Sequence, residues 1–389
     1  MIDTGNTTLL FLGIGMVFLM YAGVACFNSG LGRQKEAMNV WANGLLIAAI
    51  GTLVWGAYGY SLAFGGEGTF IGGSTGYFQN GLSASVTGGL PEVGAVIFQL
   101  MFAILTVFIG FGAFLGRIKM GAMALITVLW LTFSYCPIAH MSWGEGGYFL
   151  SHGDIDLAGG KLVHISGGIL ALTGLYFLGN RGKHRDVYAW NNNLAMIGMA
   201  LLWVGWPFFN AVSVLAANGQ AADALAASFY APAAGIITWL GINAILGQKN
   251  SVIGLATSVV AALAAITPAA GNSGFLQATA IGSVAAFAAW FFMDLLNRKL
   301  NLDDTVDVIP AHFVGGVVGG IMAAFGEPQV WQQLQVQITS IAIAVAWCGI
   351  VSVASFGIAK LAFEDIRICP NLEESGVDIG YHGENAVNI

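Results

Sequence analysis

The chain has 389 residues, of which 57% are hydrophobic and only 8% carry a formal charge. Soluble globular domains carry about 25% charged residues, so this composition excludes an ordinary soluble domain and is typical of an integral membrane protein. The net charge of -7 and the lack of a basic stripe argue against nucleic acid as a partner. The four cysteines have neither disulfide-framework nor metal-ligand spacing, and we expect no metal and no cofactor.

Hydropathy predicts eleven membrane-spanning helices. A hydrocarbon core about 30 Å thick needs about 20 apolar residues per helix, so loops must be short. The predicted spans are 7–28, 40–64, 92–115, 121–140, 158–179, 192–213, 226–247, 251–269, 275–296, 306–325 and 334–361. The predicted fold class is therefore all-α, with a polytopic membrane domain over residues 1–361 and a tail over residues 362–389.

The basic residues predict the orientation of these spans. Twelve of the thirteen Lys and Arg residues follow odd-numbered spans, and Lys161 is the exception. Cytoplasmic loops carry the excess of Lys and Arg, so we expect the N-terminus outside and the C-terminal tail in the cytoplasm. The loops 65–91 and 140–160 then lie outside, and their Gly and Ser content indicates a structured mouth.

The pattern HxxGG occurs twice, at residues 164–168 and 312–316, and indicates an internal repeat. The spans that carry it run in opposite directions by the predicted count. Inverted repeats of five spans plus five are a common transporter plan, with the substrate path at their interface. We therefore expect one repeat over about 7–180, a second over about 192–325, and an extra helix over about 334–361.

His164 and His312 each lie about six residues inside a predicted span, which places both near the middle third of the membrane. Ionisable groups at that depth are costly and usually line a functional path. The alternative is a neutral imidazole that only hydrogen-bonds between helices. A haem held by two histidines is a further reading, although each helix carries a single ligand.

Asp156 and Asp307 precede the two histidines near the starts of their helices. A carboxylate there accepts backbone N–H groups and is favoured by the helix dipole, so capping is a better interpretation than chemistry. Trp143 lies in the glycine-rich mouth. It belongs either to an interfacial belt of aromatic residues or to a site that holds a small cation over its ring face.

Six segments together resemble the ammonium transporter (Amt/Mep/Rh) family, closest to its bacterial and archaeal members. They are FQLMF at 98–102, PIAHMSW at 137–143, DLAGGKLVH at 156–164, GWPFFNAVS at 205–213, AANG at 216–219 and ITPAAG at 266–271. The resemblance extends from the first span to the tail.

The resemblance implies a homotrimer of eleven-helix subunits, each with its own narrow pore. By matching positions, Trp143 and Ser213 would form an outer ammonium site with Phe102 at its base. Phe102 and Phe209 would be the stacked rings that close the pore, and His164 and His312 the twin histidines below them. Asp156 would support the outer site, and we assign Trp206 and Asn210 only a wall role.

The implied function is ammonium transport across the plasma membrane and not enzyme activity. Ammonium would bind outside, lose a proton, and pass as ammonia through the hydrophobic pore, with the proton relayed separately. Ammonium and potassium are close in size and equal in charge, and deprotonation separates them because only the amine becomes neutral. The alternative is an ammonium sensor that signals through its tail, although the sequence has no kinase or cyclase domain after Arg367.

Three regions depart from the family pattern or extend it. Glu145 lies two residues after Trp143, where glycine is usual, and Lys161 lies where small or apolar residues are usual. Each charge could act alone on cations at the mouth, or the two could neutralise each other as a salt bridge. The tail segments 372–378 and 382–386 resemble a bacterial tail motif, which implies packing under the subunits and docking of a PII-type signal protein.

Overall fold

The structure, a computed structural model, describes residues 1–66, 68–80, 82, 86–181 and 189–387. Ten helices in this part of the chain are long and apolar enough to cross a membrane, and a further apolar helix, α8, is shorter. In chain order they are α1 (Thr4–Leu31), α2 (Gln34–Phe64), α3 (Glu92–Phe114), α4 (Met120–Ser151), α5 (Gly160–Leu178), α6 (Asn192–Val212), α7 (Gly219–Ile245), α8 (Val252–Ile266), α9 (Phe275–Asp294), α10 (Ile309–Gly326) and α11 (Val330–Phe363).

The all-α prediction is confirmed. The described residues add only a short antiparallel pair of strands, β1 (Val86–Thr87) and β2 (Leu90–Pro91), in the loop before α3. The predicted end of the fourth span at residue 140 is wrong, because its helix continues to Trp143 and a second piece, Tyr148–Ser151, follows a break.

The helices that carry the two histidines begin alike. α5 opens with a π-helical segment, Gly160–Ile165, and α10 opens with another, Ile309–Val314. Gly159, just before α5, has φ 98°, a left-handed conformation that favours glycine. Single turns of π-helix recur at functional sites because they displace side chains from the regular helical positions.

The glycines of the two HxxGG motifs lie where α5 crosses α10. A Cβ on Gly168 would lie 2.9 Å from Phe313 Cα, and a Cβ on Gly316 would lie 2.8 Å from Gly160 O and 3.1 Å from His164 Cβ. Small residues allow such close approach between membrane helices. Each motif therefore supplies the space into which the other helix packs, and this contact sets the separation of the two histidines.

α1 and α6 pack along one another through a similar set of glycines. A Cβ on Gly30 would lie 2.5 Å from Ala195 N, and a Cβ on Gly205 would lie 2.6 Å from Met16 O. The first and sixth helices thus meet as closely as the fifth and tenth do.

The C-terminal tail folds back against the start of α2. A short helix, α12 (Pro370–Ser375), follows α11. Asp378 then accepts hydrogen bonds from Met38 N (2.9 Å) and Asn39 N (2.8 Å). Lys35 Nζ donates to Glu374 O. The tail is therefore packed onto the helical domain.

The orientation predicted from basic residues stays a prediction. Lys183 and Arg185 lie outside the described residues, as does the side chain of Arg298.

Candidate functional site

A cavity of about 550 Å³ opens at the ends of the helices near the glycine-rich mouth. Trp143 and Ser213 line it, together with the carboxylates Glu92, Asp154 and Asp156. No lysine or arginine of the described chain is among the lining residues. The cavity is therefore suited by charge to a cation.

Trp143 is the last residue of the first piece of α4, and Gly144 follows it in an extended conformation. The indole Nε1 donates a hydrogen bond to Asp156 O (2.7 Å). Its ring meets the ring of Phe102 edge to face, with centroids 5.6 Å apart and planes at 90°. The hydrogen bond and this contact fix the indole at the wall of the cavity while it stays partly exposed.

Ser213 ends α6 beside the same cavity. Its hydroxyl donates to Phe209 O (2.8 Å). Since the hydroxyl hydrogen is used inside the helix, the oxygen faces any ligand as an acceptor, which suits an N–H donor such as ammonium.

Phe102 and Phe209 lie stacked below this cavity. Their ring centroids are 4.1 Å apart with planes at 25°, and both residues are fully buried. At this distance the rings are in van der Waals contact, so a solute cannot pass between them unless they move.

The two histidines lie beyond the stacked rings. His164 Nδ1 and His312 Nδ1 are 3.2 Å apart, a hydrogen-bonding distance that requires one ring to donate and the other to accept. The centroid of His164 lies 6.4 Å from that of Phe209. Nε2 of His164 is buried and has no hydrogen-bond partner among the described residues. It can therefore bind a small polar solute that reaches it.

The indole ring of Trp206 lies beside both imidazoles. Its ring centroid lies 5.2 Å from that of His164 and 6.3 Å from that of His312, with planes at 9° in the second pair. Its Nε1 donates to Thr267 Oγ1 (2.9 Å), which fixes the ring. The side-chain amide of Asn210 donates to Ser228 Oγ (2.8 Å) and so ties α6 to α7.

A second cavity of about 20 Å³ is lined by His312 and Trp206, and neither of the stacked rings lines it. Its lining is mainly apolar, with Phe27, Val260 and Val308 among the residues, and it contains no charged side chain of the described chain. A volume of this size holds about one water molecule. The space beside His312 is thus small and largely hydrophobic.

Asp156 caps α5, as the sequence predicts. Its carboxylate accepts from Gly160 N and from Lys161 N (2.9 Å). Before α10, the carboxylate of Asp304 accepts from Ile309 N (2.7 Å), and this cap was not predicted. Asp307 has φ 57°, and its backbone oxygen accepts from Ala311 N. Asp156 and Asp304 each lie eight residues before a histidine.

A buried ion pair beside the outer cavity was not predicted. Lys161 Nζ lies 3.0 Å from Asp154 Oδ2 and 3.9 Å from Asp156 Oδ2, with all three side chains almost fully buried. Glu145 is exposed, so the predicted alternative of a pair between Glu145 and Lys161 is wrong. The sequence feature that pointed to this pair was the carboxylate of Asp154, seven residues before Lys161.

Comparison with known proteins agrees with these observations. The model of the Ammonium Transporter Family matches residues 8–387. An ammonium transporter of Aquifex aeolicus is 34% identical, covering 100% of this chain and 94% of that protein. The ammonium transporter Amt1 of Archaeoglobus fulgidus is also 34% identical, covering 98% and 99%.

Solved structures give the same result. The crystal structure of Candida albicans Mep2 superposes with a TM-score of 0.86 at 29% identity, covering 95% of this chain and 87% of that one. A structure described as a sensor Amt protein superposes with a TM-score of 0.90 at 24% identity, a likeness of fold alone. The chain is a multi-pass membrane protein and belongs to the Ammonium Transporter Family.

Proposed function

We propose that this chain imports ammonium by binding the cation outside, deprotonating it, and conducting ammonia past twin histidines. The observation that carries the proposal is the hydrogen-bonded pair of His164 and His312, 3.2 Å apart, between a closed pair of aromatic rings and a narrow apolar cavity. A conduit with this lining fits an uncharged amine much better than a hydrated ion.

The first step is recruitment of the cation to Trp143 and Ser213, with Phe102 at the base of the site. A cation over the face of an indole gains about 0.5 to 2 kcal/mol. The hydroxyl oxygen of Ser213 supplies an acceptor, and Asp156 supports the site through its backbone bond to Trp143. The carboxylates of the cavity raise the local concentration of cations.

The second step is selection by loss of charge. Phe102 and Phe209 act as the gate, since their stacked rings exclude water and leave an ion without partners. Moving an unpaired ion into an apolar passage costs many kcal/mol, whereas neutral ammonia crosses readily. Potassium has no proton to lose and is therefore rejected at this point.

The third step is passage along the histidines. Nε2 of His164 has no partner in the described chain, so it can exchange a hydrogen bond with ammonia as the molecule passes. The Nδ1 contact links the two imidazoles into a chain along which the proton moves separately, which makes transport electrogenic.

The proposed architecture has eleven membrane-spanning helices within residues 1–361. Repeat one covers about 7–180 and repeat two about 192–325, related by inversion, with α11 as the extra helix. Close contacts within the pairs α1/α6 and α5/α10 support this plan, because those helices occupy equivalent places in the two repeats. The N-terminus lies outside and the tail, 362–389, lies in the cytoplasm.

The proposed assembly is a homotrimer in the plasma membrane. The tail packs beneath the helices in each subunit and offers a docking surface for a PII-type signal protein. The contacts of Asp378 with α2 support an ordered tail that could be recognised in this way.

The test is the current produced by an ammonium jump in proteoliposomes on a solid-supported membrane. We expect a current with ammonium and none with potassium. His164→Ala should lower the ammonium current about a hundredfold or more, because the proton relay is broken. His152→Ala removes an exposed histidine outside the pore and should keep the current.

Two results would contradict the proposal. A wild-type current of equal size with potassium would show that deprotonation does not control selection. Ammonium binding without any flux would instead favour the sensor function.

A further inference from the structure

Lys161 is a buried cation held by oxygen atoms beside the outer cavity. Its Nζ lies 3.0 Å from Asp154 Oδ2, 3.1 Å from Gln337 Oε1 and 3.2 Å from Ile155 O. The residue is fully buried, at the second position of α5. Gln337 belongs to α11, so this oxygen cage joins α5, the preceding loop and α11.

The geometry of the cage matches a protonated amine. An alkylammonium group has three N–H donors and no acceptor, and three oxygens are placed to receive them. A neutral amine would have only two donors facing the same oxygens. Lys161 is therefore a tethered ammonium ion whose ligands would also suit a free ammonium or potassium ion.

The cage is continuous with the proposed outer site. Asp154 and Asp156 line the same cavity as Trp143 and Ser213. Asp156 Oδ2 lies 3.9 Å from Lys161 Nζ and accepts from Lys161 N. With two carboxylates and one ammonium, this cluster carries a net charge of -1 in the protein and would carry -2 without Lys161.

We propose that Lys161 sets the ammonium affinity of the outer site, an inference that rests on the transport function proposed above. The lysine cancels one of the two carboxylate charges and occupies the oxygens that would otherwise hold the substrate. The cluster still attracts a cation, but its affinity is low enough that the cation is released to the gate. Lys161 thereby balances capture of ammonium against its release.

The test is the apparent KM and the maximal current for ammonium in variants that change the cluster charge in opposite directions. Lys161→Met leaves a charge of -2 and should lower KM by about three- to tenfold, as expected for one unit charge at an intermediate dielectric constant. Its maximal current should fall, because a more stable bound state raises the barrier to the next step. Asp154→Asn leaves no net charge and should raise KM by a similar factor.

The double variant Asp154→Asn with Lys161→Met restores a charge of -1. We expect its KM to return to within about twofold of wild type, as expected when two charge changes at one cluster cancel. Lys249→Met is the matched control, since Lys249 is exposed and does not line the outer cavity. It changes the net charge of the chain by the same amount and should leave KM unchanged.

A purely structural role gives a different pattern. If both single variants change KM in the same direction, or if the double variant is as impaired as the worse single one, the inference is wrong. If Lys161→Met does not reach the membrane, the test rests on the other two variants. A double variant whose KM returns toward wild type supports the inference, and one that stays as weak as Asp154→Asn overturns it.

Failure of this inference is distinguishable from failure of the transport proposal. A wild-type protein without selective ammonium current overturns the proposed function itself. If the wild-type protein gives such a current but the KM values of the single variants do not shift in opposite directions, only the role of Lys161 is overturned.

Discussion

Trp143 combines two interactions in one side chain. The indole N–H is used in the hydrogen bond to Asp156 O, and the edge-to-face contact with Phe102 holds the ring plane. Both polar and steric restraints therefore act on a ring that stays partly exposed to the cavity. In the proposed outer site, a ring held in this way would bind a cation without a further loss of side-chain entropy.

We predict that Trp143→Leu raises the apparent KM for ammonium about three- to thirtyfold, because the cation–π attraction of about 0.5 to 2 kcal/mol is lost. The measurement is the concentration dependence of the ammonium current. Trp331→Leu is the control, since Trp331 is highly exposed on α11. An unchanged KM in Trp143→Leu would remove the cation–π argument.

Some contacts between individual side chains could be predicted from the sequence, and others could not. The HxxGG repeat was sufficient to predict that His164 and His312 lie close together, because inverted repeats place equivalent residues of two opposed helices at the interface of the repeats. The partner of Lys161 was not predictable. Asp154 and Asp156 both lie nearby in sequence, and the choice between them and Glu145 depends on how the chain turns before α5.

Helix α10 begins at a buried carboxylate. Asp304 lies outside the membrane-spanning helices, between α9 and α10, and accepts from Ile309 N (2.7 Å). Burial raises the pKa of Asp304 to about 6, although hydrogen bonds from backbone N–H groups and the charge of Arg117 oppose the shift. Near neutral pH the helix is therefore capped by a carboxylate whose ionised form the protein disfavours.

The sign of the resulting pH dependence follows from proton linkage. Between 3.8, the ordinary pKa of aspartate, and about 6, folded Asp304 binds more protons than it does in the unfolded chain. Its contribution to stability therefore falls as pH rises through this window. We predict that Asp304→Asn, which keeps an acceptor for Ile309 N, raises Tm in detergent by a few degrees at about pH 7.5 and by less at about pH 5.

The comparison is between the Tm differences of variant and wild type at the two pH values. Asp223→Asn changes an exposed aspartate and should give the same small difference in Tm at both pH values. A Tm difference for Asp304→Asn that is equal or larger at the lower pH would contradict the assignment of the shift to burial.

Helix ends were the least predictable elements. Hydropathy reports where apolar residues stop, which is not where the helix stops. α11 begins at Val330 and α7 begins at Gly219, each before its predicted first residue, because polar residues at these ends still form helical turns. The second piece of α4, Tyr148–Ser151, was likewise not predicted, because the glycines around it are typical of a loop.

The tail is bound to the helical domain at more than one place. Arg367 pairs with Glu373 (2.9 Å), and its guanidinium also donates to Leu178 O and Asn180 O. Together with the contacts of Asp378 at the start of α2, these contacts bind the tail to α2 and to the end of α5, both in the first half of the chain.

We predict that Asp378→Ala increases the rate of Glu-specific proteolysis at Glu373 and Glu374 about five- to thirtyfold. The variant removes a carboxylate that accepts two backbone N–H groups at a helix start, which costs about 1 to 2 kcal/mol. Cleavage of a transiently opened segment follows its open population. The measurement is the rate of tail loss in detergent, followed by mass spectrometry.

Asn385→Ala is the control for the tail experiment, because Asn385 is exposed in the same segment. It should leave the cleavage rate within about twofold of wild type, as is usual for exposed surface changes. Equal cleavage of the Asp378→Ala and wild-type proteins would show that the contacts with α2 do not hold the tail.

For the whole molecule, composition and motifs were sufficient to identify the class and the family. Low charge and long apolar runs leave no alternative to a helical membrane protein, and six motifs in order are specific to one family. The packed tail was less predictable, since it depends on Asp378 meeting backbone N–H groups more than 300 positions earlier in the chain. Local composition carries no information about such distant pairing.

The interlocked glycines of α5 and α10 have a consequence for how this protein can change over generations. Because Gly168 accommodates Phe313, bulk added at Gly168 can be compensated by a smaller side chain at position 313, whereas bulk added at Gly316 meets the backbone oxygen of Gly160 and has no such compensation. Substitutions at positions 168 and 313 should therefore accumulate as linked pairs. A genetic screen for suppressors of a damaged α5 motif should therefore recover changes in α10 more often than changes nearby in α5.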